Sequence, residues 1–270
     1  MTERLADIAD RIEGIKQLGS VVNAMKGIAA ARARMARSEV AAVDSYASSI
    51  AAAMAQVLAD DGSAVVAAGE VGVLVFGAEQ GFAGAFSERV LDSIDVAAQE
   101  MFLIGTRGIS VAASRGIIPG WTGAMPSHTA GIPKLADAIT KAVYRAVSKG
   151  QITRLDVIFT VWNEGRAMLS RHTLFPIDRS SLPARVGPLP LMQVPRAALI
   201  DSLGQDYFHA LVCKAALHAF AAENEARMVA MSSAANQIAR ELDTFQATLR
   251  RVRQEAITAE IIELGTGAVQ

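Results

Sequence analysis

The stretch LGQDYFHALVCKAALHAFAAENEARMVAMSSAANQIARELDTFQATLRRVRQEAITAEIIEL, residues 203–264, runs its whole length without a proline. Within it Leu217, Ala221, Asn224, Met228, Met231, Ala235, Ile238, Leu242, Phe245, Leu249, Val252 and Ala256 recur at alternating steps of four and three, and only Asn224 is polar. The mean step of ~3.5 residues is the period of a helix lying along a partner in a left-handed supercoil. A continuous helix of ~60 residues would be ~90 Å long. That exceeds the width of a domain of this size, so the helix is expected to project from any globular body and to need a partner.

The partner is written at the other end of the chain. Leu5, Ile8, Ile12, Ile15, Gly19, Val22, Lys26, Ala29, Ala33, Ala36, Val40, Val43, Ala47, Ile50, Met54 and Val57 repeat the same alternation, with only Gly19 and Lys26 breaking it. Beside that break Leu18, Val21, Met25 and Ile28 form a second stripe on a neighbouring face, which predicts a local shift of the buried seam. Gly14, Gly19 and Gly27 each cost about 1 kcal/mol of helix propensity relative to Ala, so packing must compensate. Small seam residues (Gly19, Ala29, Ala33, Ala36) let a partner backbone come close. Pairing of the two ends as an antiparallel coiled coil satisfies both helices; a coiled-coil homodimer is the alternative.

Between the helices the pattern changes. Asp60-Asp-Gly-Ser63 is turn-forming and ends the first helix. Val71–Phe76 is an apolar run of strand length, as in a strand buried on both faces. A helix capped by Ser87, with Glu88 in its first turn, is expected to Gln99. A second strand follows over Met101–Ile104, then Gly105 turns the chain into a loop-rich segment with Gly116, Pro119, Gly120, Gly123, Pro126, Gly131 and Pro133. Lys134–Lys149 predicts an amphipathic helix ended by Gly150. A third strand is expected over Leu155–Trp162, and a fourth over His172–Ile177 at an edge, where Pro176 is tolerated. Pro183, Pro188, Pro190 and Pro195 mark the linker to the last helix. The expected fold class is α/β plus a long antiparallel two-helix coiled coil, with a small Rossmann-like open sheet between the paired terminal helices. The expected divisions are a coiled-coil helix over 1–60, an α/β globular domain over 61–197 and a second coiled-coil helix over 198–270.

Composition narrows the function. A net charge of -1 and a pI near 6.4 argue against a nucleic-acid binder, which should be strongly basic. The single Cys213 excludes an internal disulfide and a Cys-based metal cluster, and its place in a helical run predicts a small buried filler. Charges throughout residues 1–16 leave no apolar leader segment, and no run of 18 uncharged apolar residues spans a membrane. Gly77-Ala-Glu-Gln-Gly81-Phe-Ala-Gly84 invites a nucleotide reading. It lacks the P-loop ending and the G-x-G-x-x-G spacing, and no Lys or Arg lies between Gly77 and Ser87, so tight-turn glycines are the better account. His128, His172, His209 and His218 have no metal-ligand spacing, and no nucleophile elbow is present, so neither a catalytic site nor a metal site is expected. Arg32, Arg34 and Arg37 on the first helix, and Arg250, Arg251 and Arg253 on the last, read one by one as solvated helix faces. Taken together they would give the rod two charged bands at different heights, suited to acidic loops of a surrounding protein.

The ending Ile257-Thr-Ala-Glu260-Ile-Ile-Glu263-Leu-Gly-Thr-Gly267-Ala268 resembles the C-terminal signature of the gamma subunit of F-type ATP synthases, I-T-x-E, two residues, an acid, three residues, G-A. Glu225-Ala-Arg227-Met228-Val-Ala-Met231 resembles the family's E-x-x-R-M-x-A-M stretch, and the segment Val22–Ala30 its K-I-T-x-A-M-x-M-V-A. Gln80–Phe86 stands where the family has R-G-L-C-G-G-L-N, and Leu174-Phe-Pro176 where it has L-L-P. The departures are the missing K-I-T, replaced by Gly19 to Val22, and Ala83 and Ala85 for a Cys and a Gly. They mark a divergent member, compatible with a second gamma-type subunit beside a conventional one.

The resemblance implies a central stalk: a coiled coil in the axial hole of a hexamer of alternating alpha and beta subunits, and an α/β foot on the c-subunit ring beside epsilon. It implies a non-catalytic rotor shaft without cofactor or metal, peripheral on the cytoplasmic face of a bacterial-type cell membrane. By position Met25 would lie near the moving loop of beta, and Arg253 and Gln254 would form a polar catch on beta or alpha. Thr258, Glu260 and Glu263 would belong to the same shaft region, and Arg227 would face the N-terminal seam. A coiled-coil scaffold with an α/β insert and no ATP synthase partners is the other reading.

Overall fold

The computed structural model describes residues 2–58, 70–94, 100–185, 187–188 and 190–267. The turn expected at Asp60 to Ser63 lies outside them. The chain runs α1 (Thr2–Val57), β1 (Val71–Phe76), α2 (Phe86–Asp92), β2 (Glu100–Ile104), α3 (Thr106–Ser114), β3 (Trp121–Gly123), α4 (Ile132–Ser148), β4 (Arg154–Asn163), β5 (Arg166–Phe175) and α5 (Arg196–Gly267). It folds as two compact units, one of residues 1–29 with 227–270, the other of residues 30–226.

In the first unit the two helices run antiparallel. Gly19 faces Ile238, and the Arg11 guanidinium lies 4.8 Å above the Phe245 ring, so partner numbers fall as α1 rises. Ile12, Val22 and Ala29 of the expected seam are buried against this pairing, as are Met231 and Val252. A Cβ at Gly19 would stand 3.3 Å from Ile238 Cγ2, so glycine lets the helices approach here. The predicted shift of the seam does not occur. Leu18, Val21 and Ile28 are 54%, 56% and 54% exposed, while Val22 stays buried. Close approach at Gly19 holds the seam on its original face and leaves the second stripe outward.

The second unit is built on a five-stranded sheet in the order β3-β2-β1-β4-β5. The first four strands are parallel, and β5 returns antiparallel beside β4. Alternation in β1 sends Leu74 and Phe76 into one core with Phe102, Ile139, Leu155, Phe208 and Val212, and Val73 and Val75 into another with Phe86, Val90 and Ala112. β4 and β5 form a hairpin whose central residues Glu164 and Gly165 both have positive φ, the geometry a two-residue hairpin loop requires. β5 thus starts six residues before the expected fourth strand and ends at Phe175, because Pro176 has no N–H to continue the ladder. It forms the sheet edge, as expected.

Three further expectations change. Ser87 does not cap α2: it is buried inside the helix, and its Oγ accepts the Ala78 N–H at 3.0 Å. The helix expected to reach Gln99 stops at Asp92, where the Ser93 and Ile94 N–H groups tighten onto the Val90 and Leu91 carbonyls. The segment Thr106–Ser114 is helical although Gly108 and its β-branched residues disfavour helix, because Val111 and Ala112 pack into the second core. Gly105, at φ 105°, makes this turn possible: a Cβ would meet the Ala78 carbonyl oxygen at 2.6 Å.

Within the sheet Asp156 is 3% exposed and accepts hydrogen bonds from Arg154 Nε at 2.9 Å, Thr173 Oγ1 at 3.0 Å and Arg171 Nε at 3.1 Å. Burial alone raises its pKa, but these donors outweigh burial and hold the carboxyl below its ordinary value. Its stabilisation is therefore complete above the unfolded pKa of about 3.9 and is lost as pH falls through the lower folded value. Asp156→Asn should flatten the acid limb of a stability-versus-pH curve measured by urea melts. At the seam, Gly19→Leu should cost about 1–3 kcal/mol by overpacking. Gly14→Ala, with nothing within 4 Å of its new Cβ, should instead gain up to about 1 kcal/mol in the same melts.

Candidate functional site

The order of strands reverses at β1, which has β2 on one side and β4 on the other. In open α/β sheets ligands bind at such a point, beyond the carboxyl ends of the strands. Here the place is taken by the turn 77–84, and the N–H donors of Gly77 to Gln80 are already engaged. Glu79 N–H and Gln80 N–H donate to the two carboxylate oxygens of Glu223 on α5, at 3.0 and 3.1 Å. The Glu79 carboxylate in turn accepts from Thr106 N–H at 3.0 Å, Thr106 Oγ1 at 2.7 Å and Met125 N–H at 2.8 Å. One acidic side chain thus ties the turns after β1, β2 and β3 together, and a second fixes the first turn to α5. The anion that a phosphate would supply in a nucleotide site is supplied here by the protein.

The same turn presents Phe82 at φ 62° with 69% of its surface exposed. A left-handed conformation costs a non-glycine residue about 1–2 kcal/mol. An exposed aromatic ring on a strained, pinned turn has the character of residues that anchor interfaces. In the sequence the glycines around it read as tight-turn residues, and nothing local marks the ring.

The middle of α5 is buried all round. Glu223, Asn224, Glu225 and Arg227 are each 5% exposed or less, and Asn224 Nδ2 donates to the Phe220 carbonyl at 2.8 Å. Arg37 is not a free member of its basic run: it forms a 2.7 Å ion pair with Glu225. Arg34 is exposed and Arg32 half-buried. Sequence reasoning gives neither Glu223 nor Glu225 such a role, although an acid-rich A-E-N-E-A-R run inside an otherwise apolar helix is itself a signal. Cys213 is the expected buried filler, with burial first and Asp137 second pushing its thiol up to about 11.

The residues matched by resemblance do not form one cluster. Met25 is half-buried on α1, and Arg227 is buried in the middle of α5. Arg253, Gln254, Thr258 and Glu260 lie towards the end of α5; Arg253, Gln254 and Glu260 are exposed, and Thr258 Oγ1 donates to the Gln254 carbonyl at 2.9 Å. The Glu263 side chain lies outside the described residues. Ile257, Ile261, Ile262 and Leu264 are more than half exposed in the same stretch.

The sequence model of the ATP synthase family matches residues 4–269. The chain belongs to that family. It is 28% identical to the ATP synthase gamma chain of Solibacter usitatus over 285 residues, covering 98% of both chains. The gamma chain of Chlorobium chlorochromatii is also 28% identical, with 98% of this chain and 97% of that one covered. The fold matches a chain in the rotor of Euglena gracilis mitochondrial ATP synthase with a TM-score of 0.67 at 14% identity, covering 95% of this chain and 100% of that one. A chain from the central stalk and c-ring of Tetrahymena thermophila mitochondrial ATP synthase gives 0.58 at 14% identity, covering 79% of this chain and 99% of that one. The paired terminal helices with a small sheet between them are the arrangement expected from the sequence.

The Arg37–Glu225 pair is open to measurement. Arg37→Ala takes the partner from a buried carboxylate and should cost about 1–3 kcal/mol in chemical denaturation. Arg37→Ala combined with Glu225→Ala should cost less than the sum of the two single changes, and a double-mutant cycle reads the difference.

Proposed function

We propose that this member of the ATP synthase family is the non-catalytic central shaft of a rotary complex, carrying rotation of a membrane ring of c subunits to catalytic beta subunits. The observation that supports this reading is the pair of long antiparallel helices whose faces away from the seam carry apolar and basic side chains. Leu18, Val21 and Ile28 on α1, and Arg250, Arg251 and Arg253 on α5, are exposed, and a solitary coiled coil has no use for the apolar stripe. A two-helix shaft has no threefold symmetry, so it offers a different face to each of three catalytic subunits. Differential contact free energy then biases each toward a different nucleotide affinity, and turning the shaft exchanges those affinities.

Site roles follow from position. Met25, on the rim of the outward stripe, meets the moving loop of beta. Arg253 and Gln254 form the polar catch, with Thr258, Glu260 and Glu263 in the same shaft region; Arg227 holds the core of the shaft. Nucleotide chemistry stays in the surrounding subunits, and the turn 77–84, with Glu223 in place of an anion, binds no cofactor. Among the described residues no helix is long and apolar enough to cross a membrane. The chain is held at the cytoplasmic face of the cell membrane through the c ring and epsilon.

Purification of the tagged chain from its native cell with mass spectrometry is expected to recover alpha, beta, epsilon and c subunits; a soluble homodimer without them overturns the reading. Arg253→Ala with Gln254→Ala should reduce ATP turnover or coupling of the assembled complex several-fold while the melt of the isolated chain is unchanged. Unchanged turnover and coupling would remove the catch role.

A further inference from the structure

Polar contacts in the unit of residues 30–226 close into a ring. Glu223 of α5 holds the backbone N–H groups of Glu79 and Gln80, and the Glu79 carboxylate holds Thr106 and the Met125 N–H. Four residues beyond Met125, Thr129 Oγ1 donates to Glu39 Oε1 of α1 at 2.7 Å. Two residues before Glu39, Arg37 pairs with Glu225, which returns the path to α5 two residues from its start. Four carboxylates thus connect both long helices and the turns after β1, β2 and β3 in one circuit.

The geometry suits resistance to twist. Residues two apart on a helix point about 200° from each other, so Glu223 and Glu225 grip α5 from nearly opposite sides at one height. Arg37 and Glu39 grip α1 in the same way. The surface of α5 beside these grips carries Ala215, Ala216, Ala219, Ala221, Ala222 and Ala226 with Leu217 and Phe220 among them, all buried. Apolar burial is non-directional, and the alanines that immediately flank the two glutamates, Ala221, Ala222 and Ala226, make low ridges, so packing at that height resists separation better than rotation about the helix axis. Charge-assisted hydrogen bonds are directional, and Glu223 accepts one donor on each oxygen, which also fixes the plane of its carboxylate.

We propose that this ring is the torsional joint of the rotor, with Glu223 and Glu225 as positioning residues that lock the angular setting of α5 against the sheet. The proposal rests on the central-shaft reading. It gives the four acids a mechanical role, in which load entering the sheet reaches α5 through aimed bonds and does not slip across alanines.

The test uses the assembled complex with its hexamer fixed to a surface and a probe on Lys149→Cys, an exposed position; the native Cys213 is buried and does not compete for the label. Angular fluctuation of the stalled rotor reads stiffness directly. Glu223→Gln keeps the side-chain volume but turns one acceptor into a donor facing an N–H. The Glu79 and Gln80 amides should then exchange with solvent about tenfold faster or more. With one of two opposed grips released, the angular variance should roughly double. The ATP hydrolysis rate of the freely turning complex should stay at wild-type level. Thr129→Val removes the hydroxyl at the α1 end of the ring, should raise the variance in the same direction, and serves if Glu223→Gln fails to assemble. Faster amide exchange with unchanged variance, or unchanged variance in Thr129→Val, overturns the joint. Failure of the wild-type chain to be held by the hexamer is a separate result, which removes the shaft reading and the joint with it.

Discussion

Everything in this chain depends on one seam between two helices of the same polypeptide. A seam between two helices hides one stripe of each and leaves the rest of both surfaces outward, whatever the outward residues are. In the unit of residues 1–29 and 227–270, close approach at Gly19 keeps that stripe fixed and consigns Leu18, Val21 and Ile28 to the outside. An outward apolar stripe costs solubility in a free protein and is useful on a surface that other subunits enclose. The exposed apolar residues between Ile257 and Leu264 repeat the arrangement on α5.

The α/β unit solves a different problem. Its sheet has the order and parallel strands of a ligand-binding open sheet, and its switch point is plugged by the protein's own acids. Glu223 satisfies two of the donors that such a turn offers, and Glu79 stitches the neighbouring turns. The same residues that close a binding crevice fasten a helix to a sheet, so an architecture suited to holding ligands is turned to holding a shaft.

The period of the two terminal helices was legible because a heptad repeat is a local property summed over many turns. Ile12, Val22, Ala29, Ala33, Ala36, Ala47, Ile50, Met54 and Val57 are all buried, and all fall on positions that the alternation picks out. Ala51 and Ala55 are buried beside them without belonging to it, since the α/β unit widens the covered face at that end of α1. The central strand β1 was equally plain, since a strand covered on both faces must be apolar throughout. What failed depended on tertiary contact. Ser87 looks like a cap until its hydroxyl is taken by Ala78, and Thr106–Ser114 looks like loop until the second core covers Val111 and Ala112. β5 alternates weakly because most of its residues face solvent at an edge, so its first half left no periodic trace. The ring of acids was illegible for the same reason: Glu39, Glu79 and the Glu223–Glu225 pair are far apart in sequence, and nothing local distinguishes a paired glutamate from a solvated one. The family ending at Ile257–Ala268 pointed to the right family without locating that ring.

The central claim is that this chain turns inside its complex. With the alpha and beta subunits fixed to a surface and a probe on this chain, added ATP should drive rotation in one direction with pauses about 120° apart, set by three equivalent catalytic sites around one asymmetric shaft. A probe that stays still, or that wanders in both directions regardless of ATP, would contradict the account.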